Sequence, residues 1–181
     1  MRRNKMSVSI ENEYSGSLKC SGTQIEGFIS EEEYKDIAVN VINRALEHEN
    51  CPYEADVSLL LTDDGAIHEM NREYRGIDRS TDVLSFPMID YDAPACFDGF
   101  DDRDELFDPD SGELLLGDIV ISVDHAVSQA AEFGHTVIRE YAFLIAHSML
   151  HLMGYDHMTE EEAEEMEIRQ SDILDSLGYI R

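Results

Sequence analysis

Hydrophobic and polar positions repeat with two different periods along the chain, and the switches between them mark its elements. From Ser7 to Glu13, Val8 and Ile10 alternate with Ser7, Ser9 and Glu11, as in a half-buried strand. Tyr14 to Gly27 is polar and rich in Gly and Ser, a loop or hairpin excursion. Ser30 followed by Glu33 forms a capping box, and Tyr34, Ile37, Ala38, Val41, Ile42, Ala45 and Leu46 then recur at helical spacing. That predicts an amphipathic helix to about Glu49. Val57 to Leu61 is a short apolar strand. Thr62, Asp63 and Asp64 offer N-cap oxygens to a helix through Ile67, Met70 and Tyr74, ended by Gly76. Val83 to Phe86 is a strand stopped by Pro87.

Met88 to Glu113 has no period and carries ten acidic residues, which predicts a solvated, mobile loop. Its carboxylates at Asp108, Asp110 and Glu113 do not meet the calcium-loop pattern. Leu114 to Ser122 follows as a buried strand, with Asp118 inside it as a carboxylate in need of partners. Asp124 to Phe133 is a short helix closed by Gly134, and Thr136 can cap the next. Thr159 with Glu162 is a second capping box, leading a helix whose apolar side is Met166, Ile168, Ile173, Leu174 and Leu177. The order is β-α-β-α-β-loop-β-α-α-α. It predicts one α+β domain over 1–181, a small mixed β-sheet covered by helices.

Composition adds little to the fold and more to the setting. The 181 residues suffice for one domain with a real core. No run of eighteen apolar residues exists, so no membrane span is expected. The basic start, Met1 to Lys5, has no apolar run after it, which argues against a secretory signal. Cys20, Cys51 and Cys96 lack metal-type spacing and suit free thiols in a reducing cytoplasm. The net charge of −27 opposes a polyanionic partner at long range.

The chemistry concentrates in Tyr141 to His157. His147 and His151 are four apart in an apolar helical run and so lie one turn apart on one face. Gly154 turns the chain back, and His157 can join the pair. Three imidazoles suit Zn²⁺ and leave its fourth position open, as in catalytic zinc sites. The spacing H-x-x-x-H-x-x-G-x-x-H is that of the metzincin proteases. Those carry a Glu after the first His, where this chain has Ser148, and a hydroxyl cannot serve as that general base. The pattern argues for metal-assisted hydrolysis and against a peptidase. His125 and His135 have no motif spacing. Arg72, Arg75 and Arg79 stand out in so acidic a chain, either as salt-bridged surface residues or as forks for a phosphate or carboxylate.

Three segments together resemble the YbeY family. They are Asn71-x-x-Tyr74-Arg75-x-x-Asp78-x-x-Thr81-Asp82-Val83-Leu84-Ser85-Phe86-Pro87, then Gly117-Asp118-Ile119, then His147-x-x-x-His151-Leu152-x-Gly154-Tyr155-Asp156-His157. The resemblance runs from about Val57 to Tyr179. It implies a zincin-like domain with the metal helix packed on the sheet, and one Zn²⁺ held by His147, His151 and His157. It further implies a cytoplasmic, metal-dependent endoribonuclease that cuts single-stranded RNA and matures small-subunit ribosomal RNA, with Arg75 and His147 tied to activity. No DNA or membrane partner is implied. The long acidic 88–113 loop and the charge of −27 depart from the family pattern. Two alternatives stay open beside it: a zinc hydrolase of a small phosphate-containing substrate, and a non-catalytic ribosome assembly factor. Asp82, Asp118 and Asp156 are candidates for orienting ligands or handling protons.

Overall fold

The structure, a computed structural model, describes residues 6–14, 19–20, 23–24 and 29–180. The basic start and the Cys20 thiol lie outside the described residues, and most of the Tyr14 to Gly27 excursion does too. Of that excursion the backbone of β2 (Lys19–Cys20) and β3 (Thr23–Gln24) forms a short antiparallel pair. The other elements are β1 (Ser7–Asn12), α1 (Glu31–His48), β4 (Ala55–Thr62), α2 (Asp64–Arg75), β5 (Val83–Pro87), two short 3-10 turns (Phe100–Asp102 and Asp104–Leu106), β6 (Leu114–Ser122), α3 (Val123–Phe133), α4 (Val137–Leu152) and α5 (Glu160–Ser176). Each expected helix start has its cap. Ser30, Asp63, Thr136 and Thr159 all accept a backbone N–H from the first turn that follows.

The main sheet has the order β1-β4-β6-β5. β1, β4 and β6 run parallel, and β5 lies antiparallel at the edge of β6. Side chains alternate across this sheet. Leu59, Leu61, Leu114, Leu116, Ile119 and Ile121 enter the main core with α1, α4 and α5. Leu84 and Val120 point the other way and meet Ile67 of α2 in a smaller cluster. α4 lies on the β5–β6 pair and touches α1, α3 and α5. It is therefore apolar nearly all round, as a central helix must be.

Where β4 meets β6 the register shifts: Asp56 faces Leu115 but Val57 faces Gly117, so Leu116 is an extra residue. Gly117 takes up the kink at φ 139, and a Cβ there would sit 2.2 Å from the Phe86 carbonyl oxygen. Asp118 is exposed and not buried. It points to the face that α2 covers only in part, because the strand it sits on is shielded by helices mainly on its other side.

The 88–113 loop is not the solvated excursion its acids suggest. Ile89, Phe97, Phe100 and Leu106 are buried in the main core. The rings of Tyr53, Tyr91, Phe97, Phe100 and Phe107 pack together with centroids 5.1 to 6.5 Å apart. Acids between these anchors face water or close turns: Asp108 Oδ1 accepts the N–H groups of Asp110 and Ser111. On α5, Ile168 is 55 % exposed, and Gln170 takes its expected place on the buried stripe.

Candidate metal centre

α4 carries His147 and His151 one turn apart and ends at Leu152. Gly154, at φ 91, reverses the chain, with its N–H on the His151 carbonyl at 3.0 Å and the Tyr155 N–H on the Leu150 carbonyl at 3.0 Å. A Cβ at 154 would lie 3.0 Å from the Tyr91 ring, so the turn passes directly under the acidic loop. The loop also donates the Ala95 N–H to the Met153 carbonyl at 2.8 Å. Tyr155 fixes the turn from beneath. Its hydroxyl donates to Glu49 Oε2 at 2.6 Å, and Arg169 clamps Glu49 at 3.0 and 3.1 Å while its guanidinium lies over the Tyr155 ring. This turn delivers His157.

The three imidazoles converge, with one nitrogen of each within 4.8 Å of the others. On His147 and His151 the Nδ1 atoms are committed elsewhere. His151 Nδ1 donates to the Tyr155 carbonyl at 2.9 Å, and His147 Nδ1 donates to Gln170 Oε1 at 2.6 Å. A neutral imidazole that donates from Nδ1 keeps a bare lone pair on Nε2. The Nε2 atoms of His147 and His151 face each other at 3.1 Å. Two acceptors at that distance repel unless a cation lies between them. Two nitrogens on one tetrahedral zinc, each at roughly 2.0–2.1 Å, stand about 3.3 Å apart, so the pair is already at bite distance. Burial, then the neighbouring His147, pushes His151 down to about 4. Burial likewise lowers His147, against the pull of Gln170. Both are held neutral, the ligating form.

One cavity opens on the triad, and a second adjoins it through Arg139 and Phe143. The first, of about 480 Å³ between α4 and α5, is lined by Arg139, Phe143, His147, His157 and Gln170, among others. The second, of about 670 Å³, is lined by Asp82, Gln129, His135, Arg139, Glu140 and Phe143, among others. Arg139 and Phe143 belong to both walls. Glu140 is only 2 % exposed and is pushed up to about 7 by burial and then by the facing Asp82.

The other expected residues fall apart from the triad or beside it. Asp82 is near enough to raise His147 slightly, though its oxygens accept from Thr81, Val83 and Gln129. Asp156 accepts the His157 N–H, and Asp118 is on the far side of β6. Arg75 sits exposed at the end of α2, in none of the cavities lined by the triad. Arg72 pairs with Glu69, the salt-bridged alternative. Ser148 is fully buried on the core side of α4, its hydroxyl without a partner, so it cannot face a substrate. His125 and His135 pair locally with Asp64 and Glu140. Cys51 and Cys96 are free thiols. Among the described residues no helix is long and apolar enough to cross a membrane.

Pattern reading missed Gln170, Glu140 and Arg139. The first two had a signal: a polar side chain placed in register on an otherwise apolar helical stripe, which must be hydrogen-bonded or functional. Arg139 had none.

A mixed sheet, a central helix crossing it, and three imidazoles able to hold a metal at that helix's end define the class of protein. Residues 20–178 match the family model described as Endoribonuclease YbeY. A protein named Endoribonuclease YbeY from Agathobacter rectalis is 57 % identical over 150 residues, covering 82 % of this chain and 91 % of its own. Its namesake from Shouchella clausii is 45 % identical over 157 residues, covering 86 % and 93 %. The solution structure of TM1509 from Thermotoga maritima shares the fold, with a TM-score of 0.50 at 22 % identity over 94 % of this chain and 91 % of that one. The chain belongs to the YbeY family of endoribonucleases.

Proposed function

We propose that this protein is a zinc-dependent endoribonuclease of one domain, acting on single-stranded RNA in the maturation of small-subunit ribosomal RNA in the cytoplasm. The observation that carries the metal part is the pair of facing Nε2 lone pairs at 3.1 Å, each fixed by a carbonyl acceptor on the opposite ring nitrogen. His147, His151 and His157 are the ligands. Bound there, Zn²⁺ supplies a Lewis acid for a phosphoryl oxygen and an acidified water near neutral pH. The RNA part rests on family membership and on the resemblance of the Asn71 to Pro87 segment.

The protein's own residues orient and balance the charge. Gln170 and the Tyr155 carbonyl hold His147 and His151 in the ligating tautomer. Arg75 has no ion pair among the described residues, which leaves its guanidinium for the phosphate oxygens that gain charge during cleavage. The attacking oxygen, from water or from the adjacent 2′-hydroxyl, gives up its proton and bonds to phosphorus as the ester bond to the leaving oxygen breaks, and the leaving oxygen takes up a proton. Zinc analysis of the wild type and of His151→Ala, with cleavage of single-stranded ribosomal RNA before and after chelation, tests the reading. One zinc per chain, lost in the variant together with cleavage, is expected. Zinc retained with no RNA cleavage would favour a small phosphate substrate or an assembly role, and a protein without zinc would overturn the proposal.

A further inference from the structure

We infer that Arg139 is a phosphate-binding residue that grips the RNA strand beside the scissile position. The inference rests on the endoribonuclease reading above. Among the described residues Arg44 pairs with Glu47, Arg72 with Glu69, Arg103 with Glu105 and Arg169 with Glu49 and Glu165, while Arg75, Arg79 and Arg139 pair with no carboxylate. Arg139 has none, although it lines two cavities that contain Asp82, Glu140, Glu167 and Asp175. Its Nε is buried and lacks any hydrogen-bond partner. The Nε is left unsatisfied where it is, and the rest of the partly exposed guanidinium, in the wall of both cavities, has no carboxylate to hold it and is available to an anionic ligand.

The ligand it suits is an anion with paired oxygens. A guanidinium presents a planar fork that matches a phosphate bidentately. Arg139 stands eight residues before His147 on α4, about 12 Å along the helix axis. With that offset along the groove, Arg139 is assigned the phosphate flanking the one at the triad. Phe143 lies between them on the same walls and stacks on His147, with ring centroids 6.0 Å apart. The cleft thus offers one cation, one ring and the triad along a line. It also gives an acidic molecule a local hold on a polyanion: one guanidinium without a carboxylate partner in the wall of the cleft.

The test uses the full chain, freed of metal by chelation so that nothing is cut, and a fluorescently labelled single-stranded oligouridylate. Arg139→Ala should bind about tenfold more weakly by anisotropy. Its plot of log Kd against log salt should lose a slope of about 0.7, the share of one phosphate contact on a single strand. Arg139→Lys should recover part of the affinity and the slope. Arg103→Ala, remote and paired with Glu105, should match the wild type. Zinc uptake by Arg139→Ala should equal that of the wild type. Wild-type binding and slope in Arg139→Ala would overturn the assignment and leave the endoribonuclease reading standing. A wild type that binds no single strand would remove both. Lost zinc uptake or a lowered Tm in both variants would make Arg139 a structural residue.

Discussion

His147 Nδ1 donates to Gln170 Oε1 at 2.6 Å, which ties a candidate metal ligand on α4 to a buried amide on α5. The amide is the one hydrogen-bonding side chain on the buried stripe of α5, between Met166 and Leu174. It cannot contribute to that stripe by packing as an apolar residue would. Its cost is offset by what it does to His147: it selects the tautomer and aims the ring. Gln170→Leu keeps volume and burial while removing the acceptor. Zinc affinity, measured by chelator competition, should fall by about 10- to 100-fold, with the circular dichroism spectrum unchanged. Unchanged affinity would mean that the helix geometry alone aims the ring.

Glu140 gives a pH dependence of definite sign. Its folded value, about 7, lies above the ordinary 4.5 because of burial and then Asp82, with Arg139 opposing. Between those two values the folded state holds a proton that the unfolded state has released, so this group's contribution falls as pH rises through the window. Glu140→Gln has no such loss. Urea midpoints should be similar for both proteins near pH 4.5. Near pH 8 the variant should be the more stable by on the order of 2 kcal/mol. His135 Nε2 lies 3.1 Å from Glu140 Oε2, so a variant weaker than wild type at pH 8 would reveal a buried ion pair instead.

Ser148 holds the position at which a metzincin carries its base, and here it faces the core. Its hydroxyl is 0 % exposed as a residue and has no partner. A buried hydroxyl without a hydrogen bond is worse than a methyl group of similar size. Ser148→Ala should therefore raise stability by about 1 kcal/mol, partly offset by the small void it leaves. RNA cleavage should be unchanged. A large loss of cleavage would show that the hydroxyl reaches the site through motion of α4.

Most of this architecture was legible from periodicity and caps. The capping residues Ser30, Asp63, Thr136 and Thr159 act locally, and their signals lie within one turn of the helices they start. His147 and His151 are equally local, since four residues on a helix fix their mutual placement. What escaped depends on contacts distant in the chain. That β1, β4 and β6 are parallel, with β5 reversed, is set by how the helices cross over. Asp118 was expected to be buried because its neighbours are apolar, yet the open side of the sheet falls at its position. Ile168 was placed in the core by spacing alone, but Gln170 occupies that stripe. Ten acids give the loop the composition of a solvated segment, but Ile89, Phe97, Phe100 and Leu106 between them place it in the core.

That loop packs on the turn between His151 and His157. Tyr91 lies against Gly154 so closely that a Cβ there would come to 3.0 Å, and its ring is held by Phe97 and Phe100. The turn it covers carries His157, the candidate ligand that is not on a helix. Without the ring, the turn would gain freedom that zinc binding must then remove. Tyr91→Ala should lower zinc affinity about tenfold while the first two ligands stay in place. The Tyr91 hydroxyl is buried and unpartnered, so Tyr91→Phe keeps the ring and removes a cost. It should bind zinc as the wild type does and unfold at higher temperature, by about 1 kcal/mol of added stability. Equal zinc affinity in Tyr91→Ala and Tyr91→Phe would show that Gly154 and the Tyr155–Glu49–Arg169 contacts hold the turn on their own.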